Sequence, residues 1–344
     1  MNRFVHPLQA FAEPARAGAG PWRTLLGLAL TGAMLLIFVQ AARLGMAVFL
    51  FGEDGAIALR EQPEVAAEFA SPAKPVGVLL MLGAFVAIWP ALWVVLPLVH
   101  KRPARTLFGP DGTIAWRHFR IGVALALVLG SVAWSPLLFR HGPSIVAYAD
   151  IRAWAIVALL ALPFIFVQSA AEELLFRGYL LQQFAARTWS ILGWSVAPSL
   201  LFAMAHPAEG SILGISWFHF VFGLIMAAVT SRTANLGAAM GMHFGNNIVN
   251  LLLVAPAHMI SGLALYSVPD SVDTTSPLVT YLVVMFIGAA IFMGLMDLRF
   301  IREYRAARRL RAEAATAEGE AARGETAEAG SRKDPDEARR MAAE

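Results

Sequence analysis

The sequence predicts an all-α polytopic membrane protein, a bundle of about eight transmembrane helices with both termini cytoplasmic. Three observations lead there. Of the 344 residues, 58% are hydrophobic and only 15% charged, where a soluble domain carries about a quarter charged residues. The apolar residues gather into long runs, and the cations between those runs fall on alternate loops. Cysteine is absent, which removes disulfide frameworks, thiolate nucleophiles and Cys-held metals. The lipid bilayer is the expected surrounding, and no nucleic-acid partner is expected.

A span needs roughly 17–25 mainly apolar residues. Eight segments meet that: 25–49, 76–99, 121–138, 153–171, 190–205, 212–230, 235–256 and 278–298. The first run, from about Leu25 to Phe51, is longer than the roughly 7–15 residues of a signal-peptide core. It reads as an uncleaved span behind a cytoplasmic segment, 1–24. The fourth span is expected to continue as helix through a charged motif towards Phe184, and the fifth is short enough to be partly re-entrant.

Loop charge sets the orientation. Arg3, Arg16 and Arg23 precede the first span, Lys101, Arg102, Arg105, Arg117 and Arg120 follow the second, and Arg187 and Arg232 follow the fourth and sixth. The intervening loops are poorer in cations, and the one at 52–74 is acidic. Positive charge marks the cytoplasmic side, which places both termini inside. Helices within 25–150 form an N-terminal group, those within 150–256 carry most of the polar residues, and 278–300 is the last span. The tail, 301–344, opens with the basic stretch REYRAARRLR, suited to anionic lipid. It then becomes an Ala/Glu/Arg-rich sequence with little to bury, so it is expected to be disordered.

Ionisable side chains within spans are expensive and mark functional sites by default. They concentrate in three places. Residues 170–180 read AAEELLFRGYL. Glu173 and Arg177 are four apart, neighbours on one helical face that can neutralise each other. Glu172 points about 100° away and is left for another surface. An interfacial ion pair alone would need one acid, not two. His206 closes the fifth span in LLFAMAHP, with Phe202 a turn before it and Pro207 after it; taken singly, such a histidine reads as a helix-end residue. In NLGAAMGMHFGNNIVN, His243 and Asn247 are four apart and Asn250 continues the stripe. Gly237, Gly241 and Gly245 recur on the other side as a small-residue seam, which lets a neighbouring helix approach closely. His219, among Trp217, Phe218, Phe220 and Phe222, is read as a packing residue. His100 and the remaining histidines carry no spacing signal.

In order, Glu172–Arg177, Phe202–His206 and His243–Asn247 resemble the EExxxR, FxxxH and HxxxN/D motifs of the CAAX-protease and bacteriocin-processing family of intramembrane proteases. The eukaryotic Ras-converting enzyme and the Abi proteins belong to it. The resemblance covers about residues 150–255, with every motif position intact. It implies a polar cavity open to the cytoplasm in which Glu172 activates a water, Glu173 pairs with Arg177, and His206 helps to hold the water or a metal. It also implies that His243 and Asn247 bind a metal or stabilise the oxyanion. The metal is open: His206 and His243 with a glutamate could form a three-ligand Zn2+ site with an open water position. They lack the compact HExxH arrangement, and a metal-free glutamate–histidine site serves the same hydrolysis.

The resemblance makes the chain an endopeptidase of metalloprotease type acting on a membrane-bound or lipidated peptide or protein, CAAX-type or bacteriocin-like. Two alternatives stand beside it. A non-catalytic immunity or scaffold protein of the same family would keep the helices without the chemistry. A proton-coupled transporter could use the same acids and histidines, although such folds show paired halves and no internal repeat is visible here. The Ala- and Arg-rich composition points to a GC-rich bacterial coding sequence, and hence to a bacterial inner membrane.

Overall fold

The structure, a computed structural model, describes residues 7–61, 63, 68, 71–142, 145–148, 150–188, 190–206 and 215–295. The chain divides into two compact units, Met1–Ile291 and Phe292–Glu344. The tail expected to be disordered lies outside the described residues, as do Pro207 and the last residues of the eighth segment.

Each of the eight apolar segments contains a helix within its described residues. A short α1 (Pro7–Ala12) precedes α2 (Pro21–Phe51), and α3 (Gly55–Glu61) follows. Next come α4 (Pro75–Val99), interrupted by a 3₁₀ turn at Phe85–Ala87, α5 (Trp116–His141) and α6 (Ile151–Ala185). The chain continues as α7 (Leu192–Met204), α8 (Trp217–Thr233), α9 (Gly237–Asn247) and α10 (Thr275–Leu295). Five of these, α2, α4, α5, α6 and α10, are long and apolar enough to cross a membrane. The fifth, sixth and seventh segments give the shorter helices α7, α8 and α9, so the chain is an all-α polytopic membrane protein with helices of two lengths. Helix α6 runs unbroken through the charged motif, as expected, and Asp150 caps it by accepting from the Arg152 and Ala153 backbone N–H groups at 2.8 and 3.3 Å.

Burial on α2 is the reverse of a water-soluble helix. Gly27, Thr31, Ala42 and Ala47 face inward, while Leu25, Ile37 and Phe49 are more than half exposed. Large apolar side chains outward and small ones inward suit lipid, where close backbone approach, not apolar burial, drives helix association.

The helix pair that positions the site is α5 with α9. A Cβ added at Gly237 would lie 2.7 Å from the Ala115 carbonyl oxygen, and one at Gly245 2.8 Å from that of Val123. One at Gly241 would collide with the Phe119 carbonyl. The expected glycine seam therefore packs on α5, and Gly122 on α5 answers it against the Ala238 carbonyl.

Two features depart from the sequence reading. The seventh segment does not stay helical to residue 256: Val254–Pro256 is a strand, β2. Pro256 disfavours helical backbone at the residue before it. Strand β2 runs parallel to β3 (Tyr266–Val268), whose other edge pairs antiparallel with β1 (Val146–Ala147). In addition, Ile248–Leu253 forms a π-helical turn, which turns Asn250 off the His243 stripe. Asn250 bonds instead to Asn246 and to Trp134 of α5.

Candidate active site

The two glutamates sit where α6 changes winding, for Leu174–Leu181 is π-helical. Such turns occur frequently at functional sites. Glu172, Glu173 and Arg177 are all buried, with at most 2% of each residue exposed. Glu173 Oε1 accepts from Arg177 Nη1 at 2.9 Å and from His243 Nδ1 at 2.8 Å. The pairing expected from spacing is present, and Glu173 does a second thing that spacing could not show: it orients an imidazole seventy positions away. The Arg177 guanidinium also lies 4.5 Å from the Phe202 ring centroid, a cation–π contact. The FxxxH and EExxxR motifs thus meet through Phe202 and Arg177.

Glu172 turns the other way, as its 100° offset requires. Its Oε1 lies 3.7 Å from His206 Nε2 and its Oε2 lies 3.5 Å from His243 Nε2. His243 is therefore clamped between both acids, Nδ1 on Glu173 and Nε2 towards Glu172.

Partner identity assigns the protons. The Phe202 carbonyl can only accept, so His206 Nδ1, at 2.8 Å from it, carries the hydrogen. The Glu173 carboxylate likewise accepts from His243 Nδ1. In the neutral form of either ring, Nε2 is then the atom that carries the lone pair. Two imidazole lone pairs and a carboxylate converge, each separation too long for a direct hydrogen bond. Glu172 Oε2 has no hydrogen-bond partner among the described residues. His206, with 27% of its side chain exposed against 3% for Glu172, forms the accessible rim.

Asn247 is one turn beyond His243, and its Nδ2 donates to Gln168 Oε1 at 2.8 Å and to Ser169 Oγ at 3.3 Å. The structure thus gathers Glu172, Glu173, Arg177, His206 and His243 into one cluster and sets Asn247 in the next layer. Two further residues belong here. Gln168, four before Glu172 on the same face of α6, could have been noticed as a buried amide within a span. His219 lies with its ring 4.0 Å from that of His206 and only 13° from parallel. Its Nδ1 is 2.6 Å from Ser216 Oγ, the N-cap of α8. Its aromatic neighbours in sequence concealed this.

Among the described residues no group of three His, Cys, Asp or Glu side chains is arranged to hold a metal ion. The Nε2 atoms of His206 and His243 are the donors a metal would take.

Residues 153–249 match a protein family described as type II CAAX prenyl endopeptidase Rce1-like. Among curated proteins the chain is similar to the uncharacterized protein YyaK of Bacillus subtilis (strain 168), 28% identical over 179 residues. That stretch is 50% of this chain and 60% of the relative. No solved structure matches.

Proposed function

Since residues 153–249 carry the Rce1-like family's signature and enclose every residue of the cluster, we propose that this chain is an intramembrane endopeptidase that hydrolyses a peptide bond of a membrane-associated substrate. One observation supports the reading above the others: Glu172 turns one carboxylate oxygen to His206 Nε2 and the other to His243 Nε2, while its neighbour Glu173 is paired with Arg177. A structural ion pair has no use for the spare acid.

The chemistry follows from proton placement. A water among Glu172, His206 and His243 donates one hydrogen to the carboxylate and one to an imidazole Nε2, which turns an oxygen lone pair outward to the scissile carbonyl carbon. As the C–O bond forms, Glu172 takes the proton. It then returns that proton to the departing amine nitrogen as the C–N bond breaks. Glu173 keeps the Nδ1 hydrogen on His243 throughout, much as an orienting carboxylate fixes the tautomer of a catalytic imidazole. Substrates are lipidated or membrane-tethered chains, because the cluster lies on apolar helices and the only accessible group in it is His206.

The test is Glu172→Gln in the purified full-length chain, in liposomes carrying a fluorogenic farnesylated peptide that ends in a CAAX sequence. The expected loss in kcat is about 10²–10⁴-fold, the usual contribution of a positioned base, with an unchanged melting temperature. Cleavage kept within threefold would overturn the assignment of Glu172. A wild-type rate unchanged by chelation would leave the water to Glu172 and the two histidines alone. Loss on chelation with recovery on adding Zn2+ would instead assign a metal to His206 and His243.

A further inference from the structure

His206 has to hold its Nε2 towards Glu172 from a part-exposed place at a helix end. It lies two residues beyond the last residue of α7, Met204, and its backbone N–H bonds the Ala203 carbonyl at 3.1 Å. Its ring makes one hydrogen bond among the described residues, from Nδ1 to the Phe202 carbonyl at 2.8 Å. One bond fixes one point of a flat ring. The imidazole can still pivot about the line from Nδ1 to that carbonyl oxygen, and Nε2 swings with it.

A second contact supplies the plane. The His219 ring lies 4.0 Å from that of His206 and 13° from parallel. Phe202, also beside His206, is 4.5 Å away and tilted by 53°, so it fills space without matching the plane. Aromatic rings attract in offset-stacked geometry, and only a flat neighbour can provide it.

His219 is itself fixed by the way α8 begins. Ser216 is the N-cap, and its Oγ accepts at 3.4 Å from the backbone N–H of His219, the third helical residue. In a capping box the side chain at that third position reaches back to the cap, usually as Glu or Gln. Here an imidazole does so: His219 Nδ1 is 2.6 Å from the same Oγ. A hydroxyl and a ring nitrogen can bond in either sense, so the contact holds in both tautomers. Phe202 and Phe218 stand edge-on to the ring at 5.8 and 5.4 Å. Cap and aromatic edges hold His219, and His219 holds His206.

We propose that His219 is a positioning residue: its ring, aimed by the Ser216 cap, sets the plane of the His206 imidazole and so the direction of Nε2 towards Glu172. The catalytic half of this statement rests on the proteolytic reading of the site. His219 takes no part in the proton transfers and acts through His206. A reacting group displaced by about 1 Å can cost 10²-fold in rate, which sets the scale of loss when the plane is no longer fixed.

Two variants separate stacking from packing. His219→Phe keeps a flat ring over His206 and loses the bond to Ser216, whereas His219→Leu fills the space without a flat face. With the same liposomes and peptide, His219→Leu should lower kcat about tenfold to 10²-fold with KM within about threefold, and His219→Phe should stay within about threefold of the wild type. A spectroscopic readout needs no substrate. In full-length protein labelled with carbon-13 at histidine, the His206 Cε1–H signal is the one absent from His206→Ala. It should be single and narrow in the wild type and in His219→Phe, and broadened or split in His219→Leu. If the Leu and Phe variants share one kcat, or the His206 signal is alike in both, packing alone is at stake and the assignment fails while the proteolytic reading stands. If Glu172→Gln cleaves as the wild type does, the proteolytic reading fails, and the histidine signals alone decide whether His219 orients His206.

Discussion

Glu172 and Tyr179 lie seven residues apart on α6, both buried, and their partners differ in kind. Tyr179 Oη is 2.9 Å from His100 Nε2 and 3.1 Å from the Thr24 carbonyl oxygen. The other ring nitrogen of His100 is 2.9 Å from the Gly18 carbonyl oxygen. That carbonyl accepts, so Nδ1 carries a hydrogen; the phenol's single hydrogen has His100 Nε2 and the Thr24 carbonyl as acceptors, and each polar atom of the pair lies within hydrogen-bond distance of another. Around Glu172 the Nε2 atoms of the two imidazoles lie at 3.5 and 3.7 Å, and Oε2 has no hydrogen-bond partner among the described residues. Burying polar groups is tolerated when they are hydrogen-bonded and expensive when they are not. The closed cluster ties α2, the end of α4 and α6 together. The open one is kept incomplete by a scaffold that stabilises it.

The sharpest way to break this comparison is to remove the support from beneath the open cluster. Arg177→Met leaves Glu173 buried without its cation, a change of about 3–5 kcal/mol for a broken buried pair. The expected result is a large fall in melting temperature in detergent together with loss of cleavage, because His243 loses its fixed acceptor. Glu172→Gln should separate the two effects, silent in melting and severe in kcat. Equal melting temperatures for wild type and Arg177→Met would mean that the pair does not hold the helix.

A smaller loss tests the seam. In Gly241→Ala the added methyl meets the Phe119 backbone carbonyl, which cannot rotate aside as a side chain could. Overpacking of this sort is worth about 1–3 kcal/mol, and the shift of α9 away from α5 carries His243 with it. Both melting temperature and kcat should fall. Gly32→Ala, with nothing within 4 Å of its added Cβ, is the control and should change neither.

These sites also show what was legible beforehand. Apolar runs, the Glu173–Arg177 pair and the glycine seam are local patterns, three to five residues in period or twenty in length, and the structure keeps them. The double role of His243 was not legible, because its two carboxylate partners lie some seventy positions earlier and only packing brings them together. Gln168 was not legible either, since nothing in spacing says that Trp134 and three asparagines end upon it. His219 was obscured by aromatic neighbours that suggested packing, and His100 by the lack of any partner at helical spacing. His100 is 2% exposed. The strand at Val254–Pro256 is too short to show a period of two.

Removing one hydrogen bond from the closed cluster should do less than either. Tyr179→Phe keeps the ring and deletes the hydroxyl, a change of about 0.5–1.5 kcal/mol for a typical bond. Melting temperature should fall by a few degrees while kcat and KM stay as they are. A kcat loss comparable with that of Glu172→Gln would show that the two clusters are one functional unit and end the comparison.

The smallest effect is a dependence on pH. Burial holds the His100 imidazole below its ordinary value of 6.5; the Gly18 carbonyl acts in the other direction, and the nearby Arg102, Arg23 and Arg187 add to the lowering. In the unfolded chain this ring takes its proton as pH falls through about 6.5; in the folded chain it does so only at lower pH. Between those two values the unfolded state binds more protons, so stability falls as pH falls. Above 6.5 both states are neutral and the contribution is complete. A melting temperature measured from pH 7.5 down to 5 should therefore decline more steeply for the wild type than for His100→Gln, which has no proton to take up there. The variant starts lower, having lost the ring's packing against Tyr179, and the two curves approach each other towards acid. Parallel curves would show that His100 is equally ready to be protonated folded and unfolded, and that its cluster is as open to water as the one around Glu172.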